Sequence, residues 1–372
     1  MIGALKMDDI FFITGYPGFL AAELIKQLYK DHYPYVNKMY VLVHPQMLEK
    51  ATRDLAKFCQ AQQVEAQMFT IIPGDITKPN LDMETESNRV IQKEITHVFH
   101  LAAIYDLAVP ESLAYYVNVN GTHQVNEWVK GLPQLKRYIY FSTAYVSGKR
   151  EGRIYERELI EGQFFKNHYE QTKYEAEILV QQLKQDYPIT IIRPGIVIGH
   201  SKTGKTVKFD GLYFLLNFLD HLRFLPFTPY FGDGLPEGNF VPFDYVLEAT
   251  SYLSLHQRGI GKVYHLTDTN PYSMHDIQTM LTMQYTGSMP KGKIPISLAK
   301  APLKLAPIRK WLHLEFQAMD YFSISSVYDC TEAITDLQET NISCPDLKET
   351  IGPMVAFYRK YKHDNNLQVP IL

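Results

Sequence analysis

Residues 10–23 read IFFITGYPGFLAAE, and the fold turns on whether this run is a cleavable export signal or a strand leading into a phosphate-holding turn. A signal needs cations ahead of its apolar core, but Asp8 and Asp9 directly precede Ile10 and Lys6 is the only cation nearby. Gly15, Pro17 and Gly18 would interrupt a signal helix, whereas they suit a tight turn between a strand over 10–14 and a helix beginning near Phe19. Leu20, Leu24 and Leu28, with Ala21 and Ile25 beside them, then form one apolar stripe on that helix.

The same alternation continues downstream. Strands are predicted over 39–44, 68–73, 97–102, 137–143 and 189–194, with helical stretches between them, and a last strand over 262–267. Several of these runs are apolar throughout, as strands covered by helices on both faces must be. The fold class is therefore α/β, a doubly wound parallel sheet. Regular alternation fades after residue 195, where Gly, Pro and aromatic residues gather. Residues 1–195 are expected to bind a dinucleotide and carry the catalytic groups. Residues 196–372 are expected to form a smaller C-terminal substrate-binding region, with 240–268 returning to the first part. Helices are expected over 274–285 and 346–361.

Composition narrows the function. The chain has 372 residues, 46% of them hydrophobic, and a formal net charge of −3, without the concentrated basic surface that a nucleic-acid partner requires. Three widely spaced cysteines make neither a disulfide framework nor a zinc pattern and fit a reducing, cytoplasmic setting. No histidine belongs to an HExxH or Cys/His cluster, so no metal site is expected. The most apolar stretch, 211–227, is interrupted by Asn217, Asp220, His221 and Arg223, which argues against a membrane span. A core helix beside a solvated loop carrying Lys202, Lys205 and Lys208 is the preferred reading, the alternative being that 209–231 lines a pocket for an apolar acyl chain and the lysines meet a phosphorylated carrier. Prolines break 297–312 into pieces suited to a packed lid or a partner contact.

Gly15 to Ala21 has the spacing GxxGxxA. The first glycine permits the turn, Gly18 lets backbone approach a pyrophosphate, and Ala21 allows helix and strand to pack closely. Tyr16, Pro17, Phe19 and Leu20 complete the turn. The second strand ends in His44, where NAD binding would call for a carboxylate, so NADP is favoured over NAD, with Arg53 as the candidate cation for the 2′-phosphate.

Tyr169 and Lys173 lie four apart in NHYEQTKYEAE, on one face of a helix. STAYVSG upstream offers the Thr143 hydroxyl at a predicted strand end. Reduction of a carbonyl by hydride needs an acid for the forming alkoxide, and a free tyrosine is a poor one at neutral pH. A neighbouring Lys173 ammonium is expected to lower the Tyr169 pKa, while Thr143 hydrogen-bonds the substrate oxygen.

The series TGYPGFLA (14–21), GDIT (74–77), HLAA (100–103), NVNGT (118–122), STAYVSG (142–148), YEQTK (169–173), RPG (193–195) and VPFDYV (241–246) resembles the extended short-chain dehydrogenase/reductases, which have a Rossmann fold. GFLA, the VLVxP strand end, VPFDYV and YDCTEA (328–333) further resemble their thioester-reductase and fatty-acyl-reductase branch, called male-sterility-like. The resemblance implies that Gly15 and Gly18 line the pyrophosphate, Asp75 and Ile76 border the adenine, Ala102 and Ala103 back the cofactor, and Pro194 and Gly195 flank the nicotinamide. It makes Thr143, Tyr169 and Lys173 catalytic and Asn118 a support for the active-site geometry. His44 departs from the branch's usual arginine, and Pro17 from a common hydroxyl residue. No carrier or adenylation module accompanies the motifs, so a thioester substrate is expected to arrive on a separate acyl carrier or coenzyme A. Homodimers are common in the superfamily.

Three function classes follow: an NADPH-dependent reductase of an aldehyde, ketone or acyl thioester; a nucleotide-sugar epimerase or dehydratase with tightly bound NAD(P); and a non-catalytic dinucleotide sensor. The intact Thr143, Tyr169 and Lys173 set favours the first.

Overall fold

The structure, a computed structural model, describes residues 9–105, 109–224, 228–314, 316–322 and 325–369. Its centre is a parallel sheet of seven strands: β1 (Asp9–Thr14), β2 (Val36–Val43), β3 (Phe69–Pro73), β4 (His97–His100), β5 (Arg137–Phe141), β6 (Ile189–Pro194) and β7 (Val263–Leu266). The order across the sheet is β7-β6-β5-β4-β1-β2-β3. This is the doubly wound arrangement the alternation predicts. The strand order reverses between β1 and β4, whose carboxyl ends open the crevice where such sheets take ligands.

Uniform apolarity of the strands has a direct structural cause. Successive residues of β1 enter opposite layers: Phe11 and Ile13 pack with Leu24, Leu28 and Phe99, while Phe12 packs with Leu42, Val98 and Trp128. The first layer includes α1 (Phe19–His32) and α2 (Leu48–Gln62); the second includes α3 (Thr85–Glu94), α4 (Gly121–Val129) and α5 (His168–Gln181). Leu24 and Leu28 are fully buried, and each such side chain stabilises the fold by roughly 1.5–3 kcal/mol.

The second half of the chain contributes α6 (Tyr213–His221), α7 (Phe243–Leu255), α8 (Met274–Thr286) and α9 (Leu347–Tyr361). Helix α7 packs on the first layer, with Phe243 edge-on to Phe19 at 4.9 Å and His32 bonded to Ser251 at 2.9 Å. Helices α6, α8 and α9 share a separate apolar cluster built on Phe214, Leu216, Ile277, Leu281, Met354 and Tyr358.

Two expected strands end early, at Phe141 rather than 143 and at His100 rather than 102. In both places the chain leaves the sheet to face the crevice. Within the stretch 211–227, Tyr213–His221 form α6, and residues 225–227 lie outside the described ones. Prolines divide 297–312 as expected, into Ile296–Lys300, a turn Ala301–Lys304 and Ala306–Leu312. No helix among the described residues is long and apolar enough to cross a membrane, and none of their His, Cys, Asp and Glu side chains form a group of three or more able to hold a metal ion.

Candidate active site

The turn after β1 is closed by Gly18 N–H donating to the Gly15 carbonyl at 2.8 Å. Gly15 has φ +92°, and a Cβ there would stand 2.8 Å from the Ala102 nitrogen. Only glycine fits that backbone. Helix α1 starts at Phe19 with no side chain capping its N-terminus and no acidic residue in its first turn. Its open N–H groups and positive dipole end suit the pyrophosphate of a dinucleotide.

A cavity of about 660 Å³ adjoins this turn. Gly15, Gly18, Phe19, Leu20 and Ala103 line one side of it. Thr143, Tyr169, Lys173, Pro194 and Gly195 line it from the ends of β5 and β6 and from α5. The structure therefore brings the glycine turn and the three expected catalytic side chains to one space. Phe214, Leu215 and Phe218 also reach the cavity, so α6 is wall as well as core.

Other expected cofactor residues stand apart from that wall. Tyr16 is buried, and its hydroxyl donates to the Ala51 carbonyl at 3.3 Å. His44 Nε2 lies 4.0 Å from Asp75 Oδ2, bringing together the ends of β2 and β3. Asp75 Oδ1 accepts from the backbone N–H and hydroxyl of Thr77. Arg53 is exposed, with Nε 3.8 Å from Asp54. Ile76 is buried beneath Gly121, where a Cβ would come within 2.7 Å of its Cδ1. Ala102 N–H donates to Thr14 Oγ1 at 3.1 Å and so backs Gly15. Sequence reasoning missed Lys50, whose ammonium donates to the Pro17 carbonyl at 3.3 Å.

Thr143 Oγ1 accepts from the Tyr145 N–H at 3.2 Å, leaving its own proton free. Tyr169 occupies the first turn of α5, which Asn167 caps by accepting from the Glu170 N–H at 2.9 Å. Its ring meets Tyr105 edge-on at 5.0 Å. One turn later Lys173 donates to the Tyr140 hydroxyl at 2.9 Å and to the Phe141 carbonyl. Asn118 accepts from Ile104 N–H at 2.8 Å and donates to Thr172 Oγ1 at 3.0 Å. It fastens the chain after β4 to α5 and does not line the cavity.

The electrostatics differ from the sequence expectation in one respect. Burial raises the Tyr169 phenol, and the negative charge of Glu170 adds to that rise. Lys173, turned towards Tyr140 and Phe141, does not bring it down. Burial lowers Lys173 itself to about 7, against the opposing attraction of Glu177. The expectation of a Lys173-acidified Tyr169 overlooked desolvation, which the sequence does not display.

Beneath the site lies a buried ion pair. Glu177 accepts from Arg193 Nε at 3.0 Å and Nη2 at 2.5 Å, and from the Ser142 hydroxyl. Arg193 Nη1 continues to the Glu156 carbonyl and to His265 Nε2. Ser142 immediately precedes Thr143, and Arg193 precedes Pro194. One carboxylate thus ties together the ends of β5 and β6 from the helix that carries Lys173.

The sequence pattern of the Male sterility protein family, an NAD-binding family, matches residues 13–250. The chain belongs to the Male sterility protein family. Members and relatives place it in the reductase branch of the extended short-chain dehydrogenase/reductases. It is 28% identical over 321 residues to the nonribosomal peptide synthetase cpsA of Aspergillus campestris, covering 82% of this chain and 29% of that protein. It is 28% identical over 242 residues to the fatty acyl-CoA reductase wat of Drosophila melanogaster, covering 55% of this chain and 46% of that protein. The chain thus spans less than half the length of either curated relative. Among solved structures, the terminal R domain from the myxalamid PKS-NRPS biosynthetic pathway superposes with a TM-score of 0.80 at 23% identity, covering 98% of this chain and 93% of that one. That likeness shows the Rossmann-type fold. The family is one of NAD(P)-binding oxidoreductases, and the glycine turn and uncapped α1 fit that cofactor class.

Proposed function

We propose that the protein is an NADPH-dependent reductase of an acyl thioester or aldehyde, with Thr143, Tyr169 and Lys173 as its catalytic residues. The observation that carries this reading is the shared cavity, which is lined both by the phosphate turn and by these three residues. A bound nicotinamide supplies the hydride. Thr143, with its proton free, donates to the carbonyl oxygen and holds the substrate beside Tyr169. Tyr169 keeps its proton at neutral pH because burial raises its pKa, and it gives that proton to the forming alkoxide. Lys173, one turn along α5 and lining the same cavity, would contact the nicotinamide ribose and help set the cofactor beside Tyr169. Asn118 keeps α5 in position.

Preference for NADPH is supported by the absence of a carboxylate at the end of β2 and by Arg53 and Lys50 on α2. Gly15, Gly18, Phe19 and Leu20 would hold the pyrophosphate, Asp75 and Ile76 would border the adenine, Ala102 and Ala103 would back the cofactor, and Pro194 and Gly195 would flank the nicotinamide. In this reading residues 1–195 bind the dinucleotide and 196–372 bind the substrate, with 240–268 returning to the sheet. The apolar wall of Phe214, Leu215, Phe218, Leu303 and Met319 suits an apolar acyl group delivered by coenzyme A or a separate carrier.

The test is a panel of aldehydes, ketones and acyl-CoAs of graded length, each assayed with NADPH and NADH. Carbonyl-dependent consumption of NADPH is expected. Its absence across the panel removes the reading, and turnover of a nucleotide sugar without net consumption would put an epimerase in its place.

A further inference from the structure

The buried carboxylates around the cavity are answered by donors. Glu177 has Arg193 and Ser142, Glu170 has Lys166 and Tyr321, and Glu156 accepts from the backbone N–H groups of His265, Glu332 and Ala333. Asp210 is different. It lines the cavity shared by Thr143 and Tyr169 and is only part-exposed, yet among the described residues no side chain hydrogen-bonds or ion-pairs with its carboxylate. Lys208 attracts it without pairing with it, and the backbone N–H of Asp210 itself donates to it. Burial pushes the Asp210 carboxyl up to about 6, so it remains mostly an ionised acceptor above neutrality. With no side-chain donor, an ionised acceptor in a cavity wall that also holds Phe214 and Leu215 can still take a hydrogen bond from a ligand.

The backbone also fixes where Asp210 stands. Its carbonyl accepts from the Tyr213 N–H at 3.1 Å, anchoring it at the start of α6. The adjoining Gly211 has φ +55°, and a Cβ there would lie 2.9 Å from Ile196 Cγ2. Ile196 directly follows Gly195 at the end of β6. Asp210 is therefore held beside the strand end that contributes Pro194 and Gly195 to the cavity.

We propose that Asp210 accepts a hydrogen bond from an N–H group of the substrate, close to the carbonyl that is reduced, so that the cavity selects nitrogen-bearing substrates over plain hydrocarbon aldehydes. This inference rests on the reductase reading above. The N–H belongs either to an amino or acylamino substituent of the acyl group or to the first amide of a pantetheine thioester. Both put nitrogen within a few bonds of the carbonyl.

The experiment compares the full chain with its Asp210→Ala and Asp210→Asn variants on three substrates with NADPH: an unbranched aldehyde, an α-acylamino aldehyde of equal length, and an unbranched acyl-CoA. Asp210→Ala is expected to lower kcat/KM by roughly 10- to 100-fold on a substrate that offers the N–H, with the plain aldehyde unaffected. Asn retains an acceptor oxygen and should recover part of the loss. Loss confined to the acylamino aldehyde assigns the donor to the acyl group, and loss confined to the acyl-CoA assigns it to pantetheine. Equal loss on all three substrates, or loss on none, overturns the inference while the reductase reading stands. Inactivity of the unmodified protein on every substrate overturns both.

Discussion

Lys173 donates to the Tyr140 hydroxyl at 2.9 Å, and its ammonium stands 4.3 Å from the centre of that ring. The hydroxyl, the ring face and the Phe141 carbonyl all favour the charged amine, as does Glu177 one turn on. Burial opposes them and brings the lysine to about 7, while His100 nearby stays neutral because its own pKa is lowered to about 3. If catalysis needs the ammonium, kcat falls as pH rises through about 7. Tyr140→Phe removes one stabilising acceptor and should move that midpoint to lower pH. A pH profile of kcat at saturating substrate checks this, and an unmoved midpoint in the variant would detach Tyr140 from Lys173.

The same lysine makes a stability prediction of known sign. Its pKa is about 7 in the fold against 10.5 for the free side chain. Between those values the unfolded chain holds a proton that the native one does not, so this group makes stability rise with pH across the window. Lys173→Met removes the contribution. Denaturant unfolding at a series of pH values should show a shallower rise for the variant than for the wild type.

Tyr169→Phe preserves the ring that meets Tyr105 edge-on at 5.0 Å and deletes the proton donor. Turnover should fall by roughly 10²- to 10⁴-fold, with dinucleotide affinity nearly unchanged when measured by direct binding. A variant that turns over at the wild-type rate would remove Tyr169 from the chemistry.

Much of this site is legible in the sequence because it is local. The glycine turn, the four-residue step from Tyr169 to Lys173, and the apolar runs of the strands each depend on neighbours within one element. What escapes is non-local. Tyr140 reads as one more core aromatic in RYIYF, and only the packing of α5 on β5 makes it the partner of Lys173. Asp75 reaches His44 because β2 and β3 lie side by side. Asp210 is one acid in a loop until α6 places it in the cavity wall. Part of the cavity lining is similarly invisible, because Leu303, Leu312, Met319 and Tyr321 come from a segment more than a hundred residues beyond Tyr169.

His44 and Arg53 carry the prediction on cofactor choice. Both are largely exposed, so each contributes modestly. Arg53→Ala should raise KM for NADPH a few-fold and leave that for NADH unchanged. His44→Asp supplies a carboxylate for the ribose hydroxyls and should shift preference towards NADH. Equal changes for both cofactors would deny these residues a part in discrimination.

Glu177 and Arg193 are both almost fully buried. Removing one partner leaves the other as an uncompensated charge, which costs about 3–5 kcal/mol. Glu177→Gln should therefore lower the unfolding free energy by about that amount, and Glu177→Gln with Arg193→Met should recover much of it, because an apolar side chain needs no partner. Activity should not recover in parallel. Ser142 would still lack the carboxylate that accepts its hydroxyl proton, and Thr143 and Pro194 would lose the tie that joins the strand ends before them. Chemical denaturation together with kcat on the same variants separates the two effects: stability restored with kcat still low identifies the pair as a positioning device, whereas full recovery of both would reduce it to a charge balance.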